Sequence, residues 1–173
     1  MATTNIRKIK AYLGDKLLPV RHWCLLIASY VFYGWWDWRF AFLLLGMAAV
    51  VYFCSIGYAK TNKKIFVAIG VVLPLLVLAF FKYFNFFTDS FAELFGIQRS
   101  GTLNIILPLG ISFYIFQALS YIIDVYRGKL PAERSFIRLA LYISFFPQVV
   151  SGPVVKARDF LPQLSEDRNI NLK

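Results

Sequence analysis

LPLGISFYIFQALSYIIDVYRG, residues Leu107–Gly128, opens on Pro108 and Gly110 and carries no charge until Asp124 and Arg127. Its apolar length reads as a membrane helix. Its polar residues say more, because Gln117, Ser120, Asp124 and Arg127 recur every three or four positions and so share one helix face. A polar stripe inside a bilayer must turn toward protein or water, since an unpaired polar group in hydrocarbon costs several kcal/mol. The rest of the chain is expected to supply what this helix faces.

Working outward, the 173 residues are 59% hydrophobic and 18% aromatic, well above the roughly half expected of a soluble domain. The fold class is therefore all-α, a polytopic membrane helical bundle. A formal charge of +10 would suit nucleic acid in a soluble protein. Here the basic residues lie between apolar runs, which is the positive-inside pattern, so the partner is the lipid bilayer and not nucleic acid. Cys24 and Cys54 both fall within apolar spans and form neither a disulfide framework nor a metal-ligand spacing.

Residues 1–19 form a basic arm, with a weakly patterned segment at Ile6–Leu18. Val20–Trp36 reads as the first span and ends in GWWDW, where Trp35, Trp36 and Trp38 suit the bilayer boundary. His22, the single histidine, reads as a polar flank of that helix. Phe40–Tyr58 is the second span, with Gly46, Ala48, Ala49, Ser55 and Gly57 available for close packing. Ile65–Phe81 is the third, with Pro74 expected to kink it. Lys82–Ile97 is expected as a separate interfacial helix, because Phe84, Phe87, Phe91 and Phe95 form one stripe and Asn85, Asp89 and Glu93 its neighbour. The fourth span begins near Leu103. Phe136–Val155 is interrupted by Pro147 and by Ser151-Gly152-Pro153, so it is read as a broken or re-entrant segment, tolerated at depth only inside protein. A polar tail, 165–173, closes the chain.

The arm through Arg21, residues 60–64 and residues 127–138 hold five, three and four basic residues, against Arg39, Lys82 and Arg99 on the other connections. This asymmetry puts the N-terminus in the cytoplasm of a multi-pass protein of the inner (plasma) membrane. No phosphate loop, Ser-His-Asp set or metal cluster is present in the sequence. Asp124 and Arg127 read either as a local ion pair or as binding residues. Mid-membrane ionisable residues and inverted repeats, the marks of a transporter, are absent.

The Leu107–Gly128 block, followed by FFPQVVSGP at 145–153 and DFLPQL at 159–164, resembles the membrane-bound O-acyltransferase family. LLIASYVFYGWWDWRF at 25–40 is similar to an early helix of its bacterial branch of alginate O-acetyltransferases, with the D-alanine transferases of teichoic acid as more distant kin. The resemblance runs from Leu17 to Leu164. It implies transfer of an acyl group, commonly acetyl, from a cytoplasmic donor (acetyl-CoA or an acyl carrier) to a hydroxyl of an extracytoplasmic glycan, with an acyl-donor protein and an extracytoplasmic transfer partner around it. The family's catalytic histidine, preceded by an Arg-Trp-His motif, falls downstream of DFLPQL, so no catalytic residue carries over and His22 is in the wrong block. The expectation is residues 20–164 as the N-terminal part of such an enzyme, inactive alone, with no bound cofactor or metal. Gln117, Ser120, Asp124, Arg127, Pro147, Gln148, Ser151, Gly152 and Pro153 are the candidate tunnel-lining or packing residues. A non-catalytic subunit of a polysaccharide-modifying complex, or a small transporter, are the alternatives.

Overall fold

The computed structural model describes residues 20–35, 37–94, 108, 110–145 and 155–165. These residues form six helices and no strand. They are α1 (residues 20–35), α2 (Trp38–Thr61), α3 (Lys64–Leu94), α4 (Ile111–Tyr126), α5 (Phe136–Ser144) and α6 (Ala157–Ser165). The basic arm, the start of the fourth span near Leu103 and the polar tail beyond Ser165 lie outside the described residues.

Among the described residues two helices are long and apolar enough to cross a membrane, Trp38–Thr61 and the Lys64–Phe84 part of α3, and α4 is a shorter apolar helix. In α2 the buried residues are Phe40, Leu44, Met47, Ala48, Val51, Cys54 and Ser55, a single stripe at helical spacing. The opposite face carries exposed Phe42, Leu45 and Phe53. A helix apolar on both its packed and its outer face has hydrocarbon, not water, as solvent. Asp37 caps this helix, its Oδ1 accepting from the Arg39 N–H at 2.9 Å. The flanking Trp35 and Trp38 are 89% and 64% exposed, as interface anchors are.

The expected third span and interfacial helix are one continuous helix, Lys64–Leu94. A charged residue at Lys82 ends an apolar run but breaks no backbone hydrogen bond, and neither Gly nor Pro occurs between Leu75 and Leu94. At 1.5 Å per residue the helix is about 46 Å long, more than a hydrocarbon core of about 30 Å. Helix α3 also passes through Pro74 without ending.

Pairs of contacts set the direction of each helix. Tyr33 near the end of α1 meets Tyr114 at the start of α4, with ring centroids 6.4 Å apart. Phe40 at the start of α2 meets Phe81 well along α3. At the opposite end Tyr58 of α2 meets Tyr126 of α4, and Tyr52 of α2 meets Phe136 of α5. Helices α1 to α4 therefore run alternately up and down. The start of α1, the α2–α3 turn and the loop after α4 gather at one end, which is the end that holds Arg21, Lys60, Lys63, Lys64, Arg127, Lys129, Arg134 and Arg138.

Helix α5 is the innermost element. Leu139 through Ser144 are all 0% exposed, so it is enclosed on every side by α2, α4 and α6. Its nine residues extend only about 14 Å, half of a hydrocarbon core. The helix stops before the expected break, and Pro147, Gln148, Ser151, Gly152 and Pro153 lie outside the described residues.

Candidate functional site

Helix α4 buries most of its circumference, leaving Phe113, Phe116 and the terminal Tyr126 exposed. Its buried polar side chains are Tyr114, Gln117 and Tyr121, spaced three and four apart and therefore stacked on one face. Gln117, expected on the polar face, is 2% exposed. Ser120 and Asp124 are half-buried at the edge of the stripe. Asp124 lies within electrostatic reach of the Tyr142 hydroxyl on α5. Arg127 is exposed beyond the last turn, and no ion pair to Asp124 is found among the described residues. The reason is local. Arg127 is the C-cap, and Gly128 follows in the left-handed region at φ 69°, with its N–H on the Val125 carbonyl and the Lys129 N–H on that of Asp124. That closure turns the chain sharply and leaves the Arg127 side chain in solvent.

Below this stripe the loop of residues 127–135 is held by two tyrosines. The Tyr121 hydroxyl donates to Ser55 Oγ of α2 at 3.3 Å and accepts from the Glu133 N–H at 2.8 Å. The Tyr52 hydroxyl donates to the Arg134 carbonyl at 2.8 Å. Glu133 then gathers the start of α5, its Oε1 accepting from the Ser135 N–H at 2.9 Å and from Arg138 Nη2 at 2.8 Å. The Glu133 side chain is 12% exposed, so this charge is satisfied where desolvation would otherwise make it costly. The lock ties α2, α4 and α5 together at the basic end of the bundle.

A second tie joins the two ends of the described chain. Arg21 Nη2 and His22 Nε2 both donate to the Leu164 carbonyl of α6, each at 3.0 Å, across more than 140 residues of sequence. The last carbonyls of a helix have no partner within it, and they carry its negative dipole end. A guanidinium and an imidazole N–H answer both needs. His22 is 8% exposed and is thus a tertiary contact, not the polar flank expected of it.

Among the described residues no group of three or more His, Cys, Asp or Glu could hold a metal ion. Cys24 is exposed and Cys54 buried, and both are free. The arrangement holds polar side chains inside an apolar pack and fixes a basic loop at its end.

No family model and no solved structure matches this chain. Curated proteins do. It is 42% identical to a probable alginate O-acetylase AlgI of Pseudomonas aeruginosa over 153 residues, 84% of this chain and 29% of that protein. It is 39% identical to the corresponding protein of Azotobacter vinelandii, over 84% of this chain and 31% of that one. The chain belongs to the membrane-bound O-acyltransferase family. A peptidoglycan O-acetyltransferase of Helicobacter pylori is also similar, 31% identical over 189 residues, 93% of this chain and 35% of that protein. The chain thus spans about a third of the length of the curated relatives it matches.

For this family member, Gln117→Leu lowers stability by about 1–3 kcal/mol, because the side chain is 2% exposed and a branched replacement of different shape must fit a filled core. Asp124→Leu, half-buried, has a smaller effect in the same direction. The lipid-facing control is Phe116→Leu, which changes little; Ile123 is half-buried and packed on the core, so it is a poorer control. Thermal unfolding in detergent of the three variants checks the order.

Proposed function

We propose that this chain forms the N-terminal helix pack of an inner-membrane enzyme that transfers an acetyl group to hydroxyls of an extracytoplasmic polysaccharide. The observation that carries this reading is the 39–42% identity over 84% of the chain to proteins named alginate O-acetylase. A uronic-acid polysaccharide is the favoured acceptor. A peptidoglycan glycan is the second reading, supported by the 31% identity to a peptidoglycan O-acetyltransferase.

Four helices, α1 to α4, cross the bilayer in this reading, with the basic end and the N-terminus in the cytoplasm. Collection of Arg21, the lysines of residues 60–64 and the basic residues of 127–138 at one end of the bundle supports that orientation, because retained Lys and Arg mark the cytoplasmic side. The activated acetyl donor, a thioester on coenzyme A or on a carrier, approaches this basic end. Short, enclosed α5 enters from the same side and stops part-way, so with the polar stripe of α4 it forms one wall of the path between donor and acceptor. The acceptor glycan and an extracytoplasmic transfer partner meet the opposite end, where Trp35 and Trp38 lie. The chain's contribution is to exclude lipid, to line the path with the polar side chains of α4, and to position the donor side through the Tyr121–Glu133 lock.

The test is disruption of the gene at its chromosomal locus, followed by measurement of base-labile acetate on the secreted polysaccharide and, separately, on cell-wall glycan. Loss of acetate from the secreted polysaccharide is expected. Loss from peptidoglycan alone selects the second acceptor, and unchanged acetate in both fractions contradicts the proposal.

A further inference from the structure

At the basic end the loop after α4, the first turn of α5 and the end of α6 border an open cleft of about 370 Å³. That volume is within the range of small-molecule sites. Leu130, Leu161 and Pro162 give it an apolar side; Arg134, Arg138 and Glu133 give it a charged one. We propose that this cleft binds a phosphate ester, with Arg134 and Arg138 on the phosphate and the apolar side against the ester's chain.

Three features select that chemistry. The first is charge balance: the Glu133 carboxylate is engaged by Arg138 and by the Ser135 N–H, so it orients Arg138 and offsets one positive charge. Arg134 remains exposed, with no ion pair among the described residues, so the described lining carries two guanidinium groups against one carboxylate. The second is preorganisation. The Arg134 carbonyl is held by Tyr52 and the Glu133 N–H by Tyr121, so the backbone that carries the guanidinium is fixed before a ligand arrives. A guanidinium presents paired N–H donors that match phosphate oxygens better than a point charge does. The third is the apolar side formed by Leu130, Leu161 and Pro162, which a free inorganic anion would leave unused and an ester chain would cover.

Such a phosphate ester has two sources: the headgroup of an anionic phospholipid at the bilayer edge, or a soluble phosphorylated acyl donor. The soluble source rests on the acetyl-transfer reading above, whereas the lipid source does not. Both are tested on the full chain in phosphatidylcholine nanodiscs, with phosphopantetheine as the soluble probe, and by native mass spectrometry of phosphatidylglycerol retained after purification. The expected result is that Arg134→Gln weakens one of these by about tenfold or more, Arg134→Lys weakens it less, and Arg127→Gln, outside the cleft, leaves it unchanged. Thermal unfolding of each variant shows that the fold is retained, since Arg134 is exposed. Absence of both ligands, or equal binding by the parent chain and Arg134→Gln, overturns the proposal. Neither readout requires acetyl transfer. A cleft that binds in a strain with unaltered glycan acetate fails the functional reading alone, and loss of acetate with an inert cleft fails this one alone.

Discussion

Gly70→Leu separates α3 from the bundle, lowering the level of folded protein in the membrane severalfold and abolishing any acetylation that depends on it. Gly70 sits where three helices meet. A Cβ built there would lie 3.1 Å from the Cys54 Cβ of α2 and 3.2 Å from the Ile122 Cγ1 of α4. Neither neighbour can yield cheaply: a Cβ moves only with its backbone, and Ile122 is 0% exposed within the core. Helix α3 otherwise packs through the partly buried Val67, Val71, Val77, Leu78 and Phe81, which share its inner face with Gly70, while Ile65, Ile69, Val72, Leu73 and Leu76 are exposed. Forcing extra methylenes into a packed core costs about 1–3 kcal/mol, and leucine adds a whole side chain where even one methyl is crowded. Gly70→Ala is the graded companion, with a loss of about 1 kcal/mol as the helices shift by tenths of an ångström. Membrane-fraction immunoblotting and thermal unfolding read both variants, and a Gly70→Leu protein as stable as the parent would show that α3 does not pack as described.

Tyr121→Phe has the second large effect. It keeps the ring and removes one hydroxyl, so packing is preserved while two hydrogen bonds are lost. The Glu133 N–H loses its acceptor and Ser55 Oγ its donor, both in buried or half-buried surroundings. Leaving such groups unmatched costs about 1–3 kcal/mol. The loss falls on the loop of residues 127–135, not on the helix pack, so local loosening exceeds global destabilisation. Backbone hydrogen exchange at residues 130–138 rises in Tyr121→Phe while exchange in α2 and α4 stays near the parent level. Uniform exchange across the chain would instead make Tyr121 an ordinary core residue.

The spans were legible from hydropathy because a bilayer demands length as well as apolarity. The α2 stripe from Phe40 to Ser55 and the Trp-rich anchor before it could be located on that basis. Hydropathy divides α3 from an interfacial helix at Lys82, which interrupts the apolar run without interrupting hydrogen bonding. The lack of Gly and Pro between Leu75 and Leu94 is the signal that joins the two. The polar face of α4 was recognised at Gln117 but shifted toward Ser120 and Arg127, since tyrosine counts as apolar in a hydropathy sum although its hydroxyl needs a partner. The spacing Tyr114, Gln117, Tyr121 carries that signal. The His22 contact was not legible at all. Its partner is a backbone carbonyl 142 residues away, and no side-chain pattern marks a carbonyl.

The placement of the lock, the Arg21–His22 tie and the cleft on the donor side depends on one property, an up-and-down membrane bundle whose basic end faces the cytoplasm. Substituted-cysteine labelling tests it most directly. In a background with Cys24 and Cys54 replaced by serine, single cysteines at Lys63, Lys129 and Asp37 are exposed to a membrane-impermeant maleimide in intact spheroplasts and then in lysed membranes. The bundle predicts labelling of Asp37→Cys in intact spheroplasts, and of Lys63→Cys and Lys129→Cys only after lysis. Labelling of Asp37→Cys together with either lysine position from the same side would contradict it.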